Sequence, residues 1–191
     1  MYGKMTKDEL NERRIQFYEH PVTNAVSHKE VSVADVFCLI TSCQYRDITM
    51  KLRSITDDKE RKAFKARNFD FVTFSGLFSY RKDDCMTRHS GLMSLDIDHV
   101  GTRLKELKAA LVNDPYFETE LLFTSPSGDG LKWVVEINLD DCDHRTWFRA
   151  IQNYMRQVYN VEVDEKCINE SRTCFIPFDV EVYVNPLICE Y

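Results

Sequence analysis

Apolar residues recur along this chain with two different periods, and the alternation between them sketches a fold. Residues 32–43 place Val33, Val36, Phe37 and Ile40 at helical spacing behind Ser32, a residue suited to cap a helix start. A second helix is expected over 46–55, and a third begins at Asp57, where Glu60 offers a capping box. Residues 69–80 read instead as a strand interrupted near Ser75 and Gly76, and the polar run 81–90 reads as a loop. Residues 91–100 form an apolar strand that delivers Asp96 and Asp98 just before a break at Gly101. A helix over about 102–113 follows, with Leu104, Leu107 and Leu111 on one face and Asp114-Pro115 closing it. Residues 118–124 and 131–139 read as a hairpin around the turn 125–130. A helix over about 143–159 buries Trp147, Ile151, Met155 and Val158, and the last strands fall near 173–178 and 180–184. Residues 1–14 read as a polar lead-in, helical if ordered.

From 91 to 178 the order of elements is β-α-β-β-α-β, the split βαβ pattern of ferredoxin-like and RNA-recognition-motif-like folds. The expected class is therefore α+β: an RNA-recognition-motif-like core over 91–191, with an N-terminal helical and β extension over 1–90 packed on it, possessing a nucleic-acid-facing side, the two making one domain. In that arrangement the first and third strands are central neighbours and the third and fourth run antiparallel to the first. Asp96 and Asp98 then stand at one end of the sheet. The turn 125–130, Lys132, Asp164 and Arg172 return to that same end.

Composition narrows the class without changing it. A chain of 191 residues, 43% hydrophobic and 29% charged, suits one globular domain. No apolar run approaches the roughly 18 residues of a membrane span, and the start MYGKMTKDELNERR lacks the apolar core of a signal peptide, so a cytoplasmic protein with no membrane contact is the expectation. Seven scattered cysteines (38, 43, 85, 142, 167, 174, 189) without a Cys-x-x-Cys pair, and five dispersed histidines, suggest reduced thiols and no metal site built on sulfur or imidazole. The net charge of −6 conceals a split: +3 over 1–90 and −9 over 91–191. An acidic half that holds cations beside a basic half that meets phosphates is one account; two ordinary surfaces are the other. Much of the positive charge sits on the third helix, where Lys59, Lys62 and Lys65 are candidates to meet a nucleic-acid backbone, although such a run is more often a solvated face.

The chemistry lies in what converges on the sheet end. Side chains at i and i+2 of a strand share a face about 7 Å apart, so Asp96 and Asp98 can meet on one hard cation such as magnesium or manganese. With Asp164, Lys132, Arg172 and the turn, they suit a metal-bound nucleoside triphosphate. The carboxylates would hold ions that activate an attacking hydroxyl and steady the leaving pyrophosphate. Lys132 and Arg172 would neutralise the phosphate tail, while Ser125, Ser127 and the amides of Gly128 and Gly130 would cradle its oxygens. Singly, each has an ordinary reading: a wet strand face, a plain turn, an outward strand lysine, a surface ion pair of Arg172 with Glu170, a turn cap at Asp164. Their meeting at one place is what favours chemistry.

The stretches LDID, TSPSGDGLKWVV, VD followed by SRTCFIPFD, and VNP, with VTFSGLFSYR and HSGLMSLDIDHV upstream, closely resemble the primase-polymerase-like amino-terminal domain of VirE-type mobile-element proteins, a branch of the archaeo-eukaryotic primase superfamily. The similarity extends over about 17–186. It implies an RNA-recognition-motif-like core and template-directed nucleotidyl transfer by a DNA primase or polymerase, with nucleoside triphosphates and a single-stranded DNA template as partners. A helicase or ATPase, C-terminal or separate, would accompany it; no such region lies in this sequence. The first motif of the resemblance falls on Asp96 and Asp98. The metal-binding acid of the third falls on Asp164, with Asp179 as the competing assignment. The second motif usually places a histidine where this chain has Lys132, and no zinc-binding element is visible. An alternative is therefore a non-catalytic module that binds nucleotide or single-stranded nucleic acid beside a helicase. A replication-initiator nuclease would need paired metal-binding histidines, whereas His89 and His99 stand isolated in the sequence.

Overall fold

The structure is a computed structural model that describes residues 13–189. The expected lead-in helix falls outside them, apart from Arg13 and Arg14, which are not helical. In chain order the strands are β1 (Ile15–Tyr18), β2 (Lys29–Val31), β3 (Phe71–Thr73), β4 (Gly76–Phe78), β5 (Met86–His89), β6 (Leu92–Ile97), β7 (Thr119–Thr124), β8 (Leu131–Glu136), β9 (Cys174–Phe175) and β10 (Tyr183–Val184). The helices are α1 (Val33–Thr41), α2 (Arg46–Ser54), α3 (Asp58–Asn68), α4 (Leu104–Val112), α5 (His144–Tyr154) and α6 (Pro186–Cys189). The class is α+β, with strand pairing antiparallel throughout. No helix among the described residues is long and apolar enough to cross a membrane.

Local chemistry sets the helix starts as expected. Ser32 closes a full capping box with Asp35: the serine hydroxyl accepts from Asp35 N at 3.1 Å, and the Asp35 carboxylate accepts from Ser32 N at 2.8 Å. Asp57 caps α3 by accepting from Glu60 N at 2.8 Å, which is one half of the capping box expected there. The helix after β8 continues past α5 through a π-turn over Met155–Tyr159 and stops at Asn160, whose φ of 51° suits its short amide side chain.

The strands form sheets in the orders β2-β1-β3-β9 and β10-β7-β8-β6, with β4 and β5 as a separate ribbon. Three strands follow the expected order, with β8 between β6 and β7. The rest departs. β1 and β2 had no counterpart in the sequence reading, and the expected loop 81–90 contains β5. The two terminal strands shrink to two residues each, and neither pairs with β6: β9 pairs with β3, setting Phe175 opposite Phe71, and β10 pairs with β7. Packing explains the move of β9. Cys174 and Ile176 point into the core beside Ile15, Val72 and Phe74, while the Phe175 ring lies edge-on to Phe71 at 6.0 Å. The edge of β6 is met instead by the turn near 164, whose Asp164 N donates to Asp96 O at 2.9 Å.

The β6-β8-β7 sheet is buried on both faces. Leu121, Phe123 and Val134 join one apolar cluster with Ile15, Val36 and Val72; Leu122, Trp133 and Val135 join another with Leu107, Phe148 and Ile151. Double-sided burial is why these strands read as near-continuous apolar runs. The first cluster draws on residues from both 1–90 and 91–191, so the N-terminal part shares a core with the sheet that carries the acids.

Candidate functional site

The register of β6 on β8 sets Asp96 directly opposite Lys132. Their side chains form an ion pair between Lys132 Nζ and Asp96 Oδ2. Arg172 Nη2 donates to the same Asp96 oxygen at 3.0 Å and to Asp164 Oδ2 at 2.6 Å. The four residues thus make one chain of charges, with Asp96 only 2% and Lys132 only 8% exposed. Burial opposes ionisation of Asp96, but Lys132 and Arg172 outweigh it and hold the carboxyl below the usual carboxylate range. Burial likewise disfavours the Lys132 ammonium, and Asp96 outweighs it, raising the lysine. Such a network is secured by its completeness, because removal of one member strands a buried charge.

Backbone and sulfur atoms complete the anchoring. Asp164 Oδ1 accepts from Lys166 N at 3.0 Å, capping the short turn Glu165–Ile168, and that turn presents Cys167, whose Sγ accepts from Asp96 N at 3.3 Å. Burial drives the Cys167 thiol far up and pushes Cys174 up to about 12, so both stay protonated. Asp179, the competing third acid, lies elsewhere: it accepts from Thr124 N at 2.7 Å and Glu181 N at 2.9 Å and faces Lys108 at 3.6 Å. Asp164 is the acid in contact with the Asp96 network.

Asp98 behaves differently from Asp96. It lies beyond the end of β6 and is exposed. The next residue, His99, has a φ of 56°, a conformation that costs a non-glycine residue of order 1 kcal/mol or more. Its Nδ1 sits 3.0 Å from Asp129 Oδ2, tying the exit of β6 to the hairpin turn. Gly130 makes that approach possible, since a Cβ there would stand 2.5 Å from Ile97 O.

The turn 125–130 is self-contained. Ser125 N donates to Gly130 O at 2.8 Å, Gly128 N to Ser125 O at 2.9 Å, Gly130 N to Ser125 Oγ at 3.2 Å, and Ser127 Oγ to Asp129 Oδ1 at 2.7 Å. The amides of Gly128 and Gly130, expected to face a phosphate, are engaged inside the turn because the buried Ser125 supplies acceptors for both. Arg53 of α2 grips the turn from outside, its Nε donating to Pro126 O at 3.3 Å. Burial lowers the pKa of that guanidinium.

The basic helix does reach the site. Arg61, Lys62 and Lys65 of α3 join Leu52, Asp98, His99, Ser127 and Asp129 around a hollow of about 120 Å³. Lys59 is exposed and does not line it. His89, isolated in the sequence, meets His144: their Nε2 and Nδ1 are 3.1 Å apart, and burial takes both down to about 4.

Among the described residues, no three His, Cys, Asp or Glu side chains are grouped to hold a metal ion. The donors still suit one kind of cation. Asp96 Oδ1 is buried without a hydrogen-bond partner, and Asp98 is exposed nearby. A hard ion such as magnesium is commonly held by one or two carboxylates with substrate phosphates completing its shell. Sequence reasoning placed Lys132 and Arg172 on phosphate, whereas both are paired with acids. Counting outward from the hairpin turn sets Lys132 opposite Phe123 of β7, but the register of β6 on β8, which sets it opposite Asp96, is not fixed by that turn, and nothing in the sequence marks Arg53 or Cys167.

Neither the curated proteins nor the solved structures offer a match to this chain. Residues 64–184 match a family model, a span that begins within α3 and takes in Lys65, Asp96, Asp98, the hairpin, Asp164 and Arg172. On that match, which covers more than half of its length, the chain belongs to the BT4734-like, N-terminal domain family.

Proposed function

We propose that this domain is a metal-dependent nucleotidyltransferase of the primase-polymerase kind, using nucleoside triphosphates on a single-stranded DNA template in the cytoplasm, in replication of a mobile element served by a helicase or ATPase. One observation carries this reading: Asp96, Lys132, Asp164 and Arg172, from four separate stretches, form one contiguous charge network at the end of the sheet, with Asp98 open beside it. The β6-β8-β7 order supports an RNA-recognition-motif-like core, with β9 displaced from it.

Asp96 and Asp98 would hold magnesium or manganese, which supplies charge neutralisation and a more acidic attacking hydroxyl when bound. Lys132 and Arg172 keep Asp96 ionised and fix one of its oxygens, leaving Oδ1 unpaired. Asp164 orients Arg172, and Cys167 steadies the backbone of Asp96. On this reading Lys132 governs the charge state of the first-motif acid, in place of a direct contact with phosphate.

The test is incorporation of labelled deoxy- and ribonucleotides on single-stranded DNA, primed and unprimed, in magnesium and in manganese. Wild type is compared with Asp98→Asn, an exposed substitution that spares the buried network. Incorporation by wild type and a loss on the order of 100-fold in Asp98→Asn, with the folded spectrum intact, is the expected result. A second reading, a non-catalytic nucleotide or single-stranded nucleic-acid binding module, is favoured by the engagement of Asp96 with two cations and by the internally satisfied turn. Nucleotide binding without incorporation in either metal would establish it.

A further inference from the structure

The cations around the site are of two kinds. Lys132 and Arg172 are committed to Asp96 and Asp164. Arg61 is tied to Asp58 at 2.6 Å. Lys65 is different. It is half-buried, and no carboxylate or hydrogen-bond acceptor pairs with its ammonium among the described residues; its Nζ lies 5.5 Å from the centre of the Phe175 ring. Burial lowers its pKa, the neighbouring Lys132 and Arg172 lower it further, and Asp98 and Asp96 offset this only in part. Two paired cations behind it and an open hollow before it leave this ammonium short of negative charge. Lys62 stands exposed on the rim of the same hollow, with Ser127 on its wall.

We infer that Lys65, with Lys62 at the rim, receives the polyphosphate tail of a nucleoside triphosphate and the pyrophosphate it becomes. This rests on the nucleotide-using reading above and moves the phosphate contacts from Lys132, Arg172 and the turn amides to α3. Three features favour a polyphosphate over a nucleic-acid backbone. The lysines converge on a concavity of about 120 Å³. Lys59, the exposed lysine a turn earlier on the helix, does not line it. The acids on the opposite wall divide: Asp129 is occupied by His99 and Ser127, while Asp98 faces the hollow, where a carboxylate tolerates phosphate when a divalent cation lies between them.

The experiment titrates the whole chain with inorganic pyrophosphate and tripolyphosphate in magnesium by calorimetry, in parallel with a labelled single-stranded DNA. The variants are Lys65→Met, which keeps the stem against Phe175, Lys65→Ala, Lys62→Ala, and Lys59→Ala as a control on the same helix. Lys65→Met and Lys65→Ala are expected to weaken pyrophosphate about 10-fold or more, Lys62→Ala less, and Lys59→Ala not at all. Wild type that fails to bind pyrophosphate, or Lys65→Met that binds it as wild type does, overturns the inference. Loss of DNA binding with pyrophosphate binding unchanged also overturns it, assigning the helix to the nucleic-acid backbone. The incorporation assay separates the two readings: pyrophosphate binding that depends on Lys65 in a protein that incorporates nothing leaves the anion site standing without the polymerase. Incorporation whose KM for nucleotide ignores Lys65 leaves the polymerase without this site.

Discussion

The inner and outer halves of the candidate site are built on opposite electrostatic terms. On the inner side, Asp96, Lys132, Asp164 and Arg172 are matched in charge, mostly buried and bonded to one another. On the outer side, Asp98 and the hollow under α3 are open, and Lys65 has no counter-ion among the described residues. The two carboxylates of one Asp-x-Asp therefore face different problems. Asp96 carries an interaction whose loss damages the fold, whereas Asp98 is free to meet a ligand. A short motif names residue types; burial decides which of them remains available.

The largest test of that contrast is a pair of single substitutions. Asp96→Asn leaves Lys132 and Arg172 without their buried partner and should cost about 3–5 kcal/mol in urea unfolding. Asp98→Asn should stay within about 0.5 kcal/mol of wild type. Equal costs would erase the distinction. Adding Lys132→Met to Asp96→Asn should restore part of the loss, because the stranded ammonium goes with its partner.

Acid provides the next test, and it acts on the inner half. Gly91 N donates to His89 Nδ1 at 2.9 Å, so the proton of neutral His89 sits on Nε2 and points at His144 Nδ1. His144 is buried beside the turn that carries Cys167 and Asp164, His89 is half-buried against it, and burial lowers both from 6.5 to about 4. The folded state then binds fewer protons than the unfolded state between these values. Stability is fully present above pH 6.5 and is lost as pH falls toward 4, by a few kcal/mol at roughly 1.4 kcal/mol per pKa unit. Glu120, raised to about 7 by burial, works the other way: its folded state binds more protons, so it loses stability as pH rises from 4.5 toward 7. The histidine contribution is the difference between wild-type and His89→Gln melting curves across this range. Parallel curves would remove the pair from the account.

The smallest effect belongs to Arg53. Arg53→Ala removes the hold on the Ser125 and Pro126 carbonyls and should cost about 1 kcal/mol, with faster amide exchange at Gly128 and Gly130 and none of the change at Asp96. Accelerated exchange at Asp96 as well would show that the two halves open together.

What could be read beforehand follows from the same physics. Strands β6, β7 and β8 announced themselves because burial on both faces makes long apolar runs, and their order brought Asp96, Lys132, Asp164 and Arg172 to one place. The pairing inside that cluster was harder to foresee, because an acid and a lysine opposite each other on adjacent strands look, in sequence, like two independent outward residues. β1 and β2 are short and flanked by polar residues, so they carry little period of their own. β9 was read as the fourth strand of the acid-bearing sheet, yet Cys174 and Ile176 fill the N-terminal core, and that packing decided its place. The turn's glycines were recognisable, but their amides are taken up by the buried Ser125, Gly130 N by its hydroxyl and Gly128 N by its carbonyl.

The pairing of β9 with β3 also sets an order of assembly. The Asp96–Lys132 contact forms across one β6-β8 pairing, whereas Arg172 stands two residues before Cys174, in a segment whose pairing of Cys174 and Phe175 with Val72 and Phe71 is a closure over about 100 residues whose entropy must be met before it is rewarded. During refolding Asp96 would acquire its lysine early and its arginine late. The charge network would thus be completed by a long-range closure, and a population caught before that step would hold a formed sheet with an incomplete site.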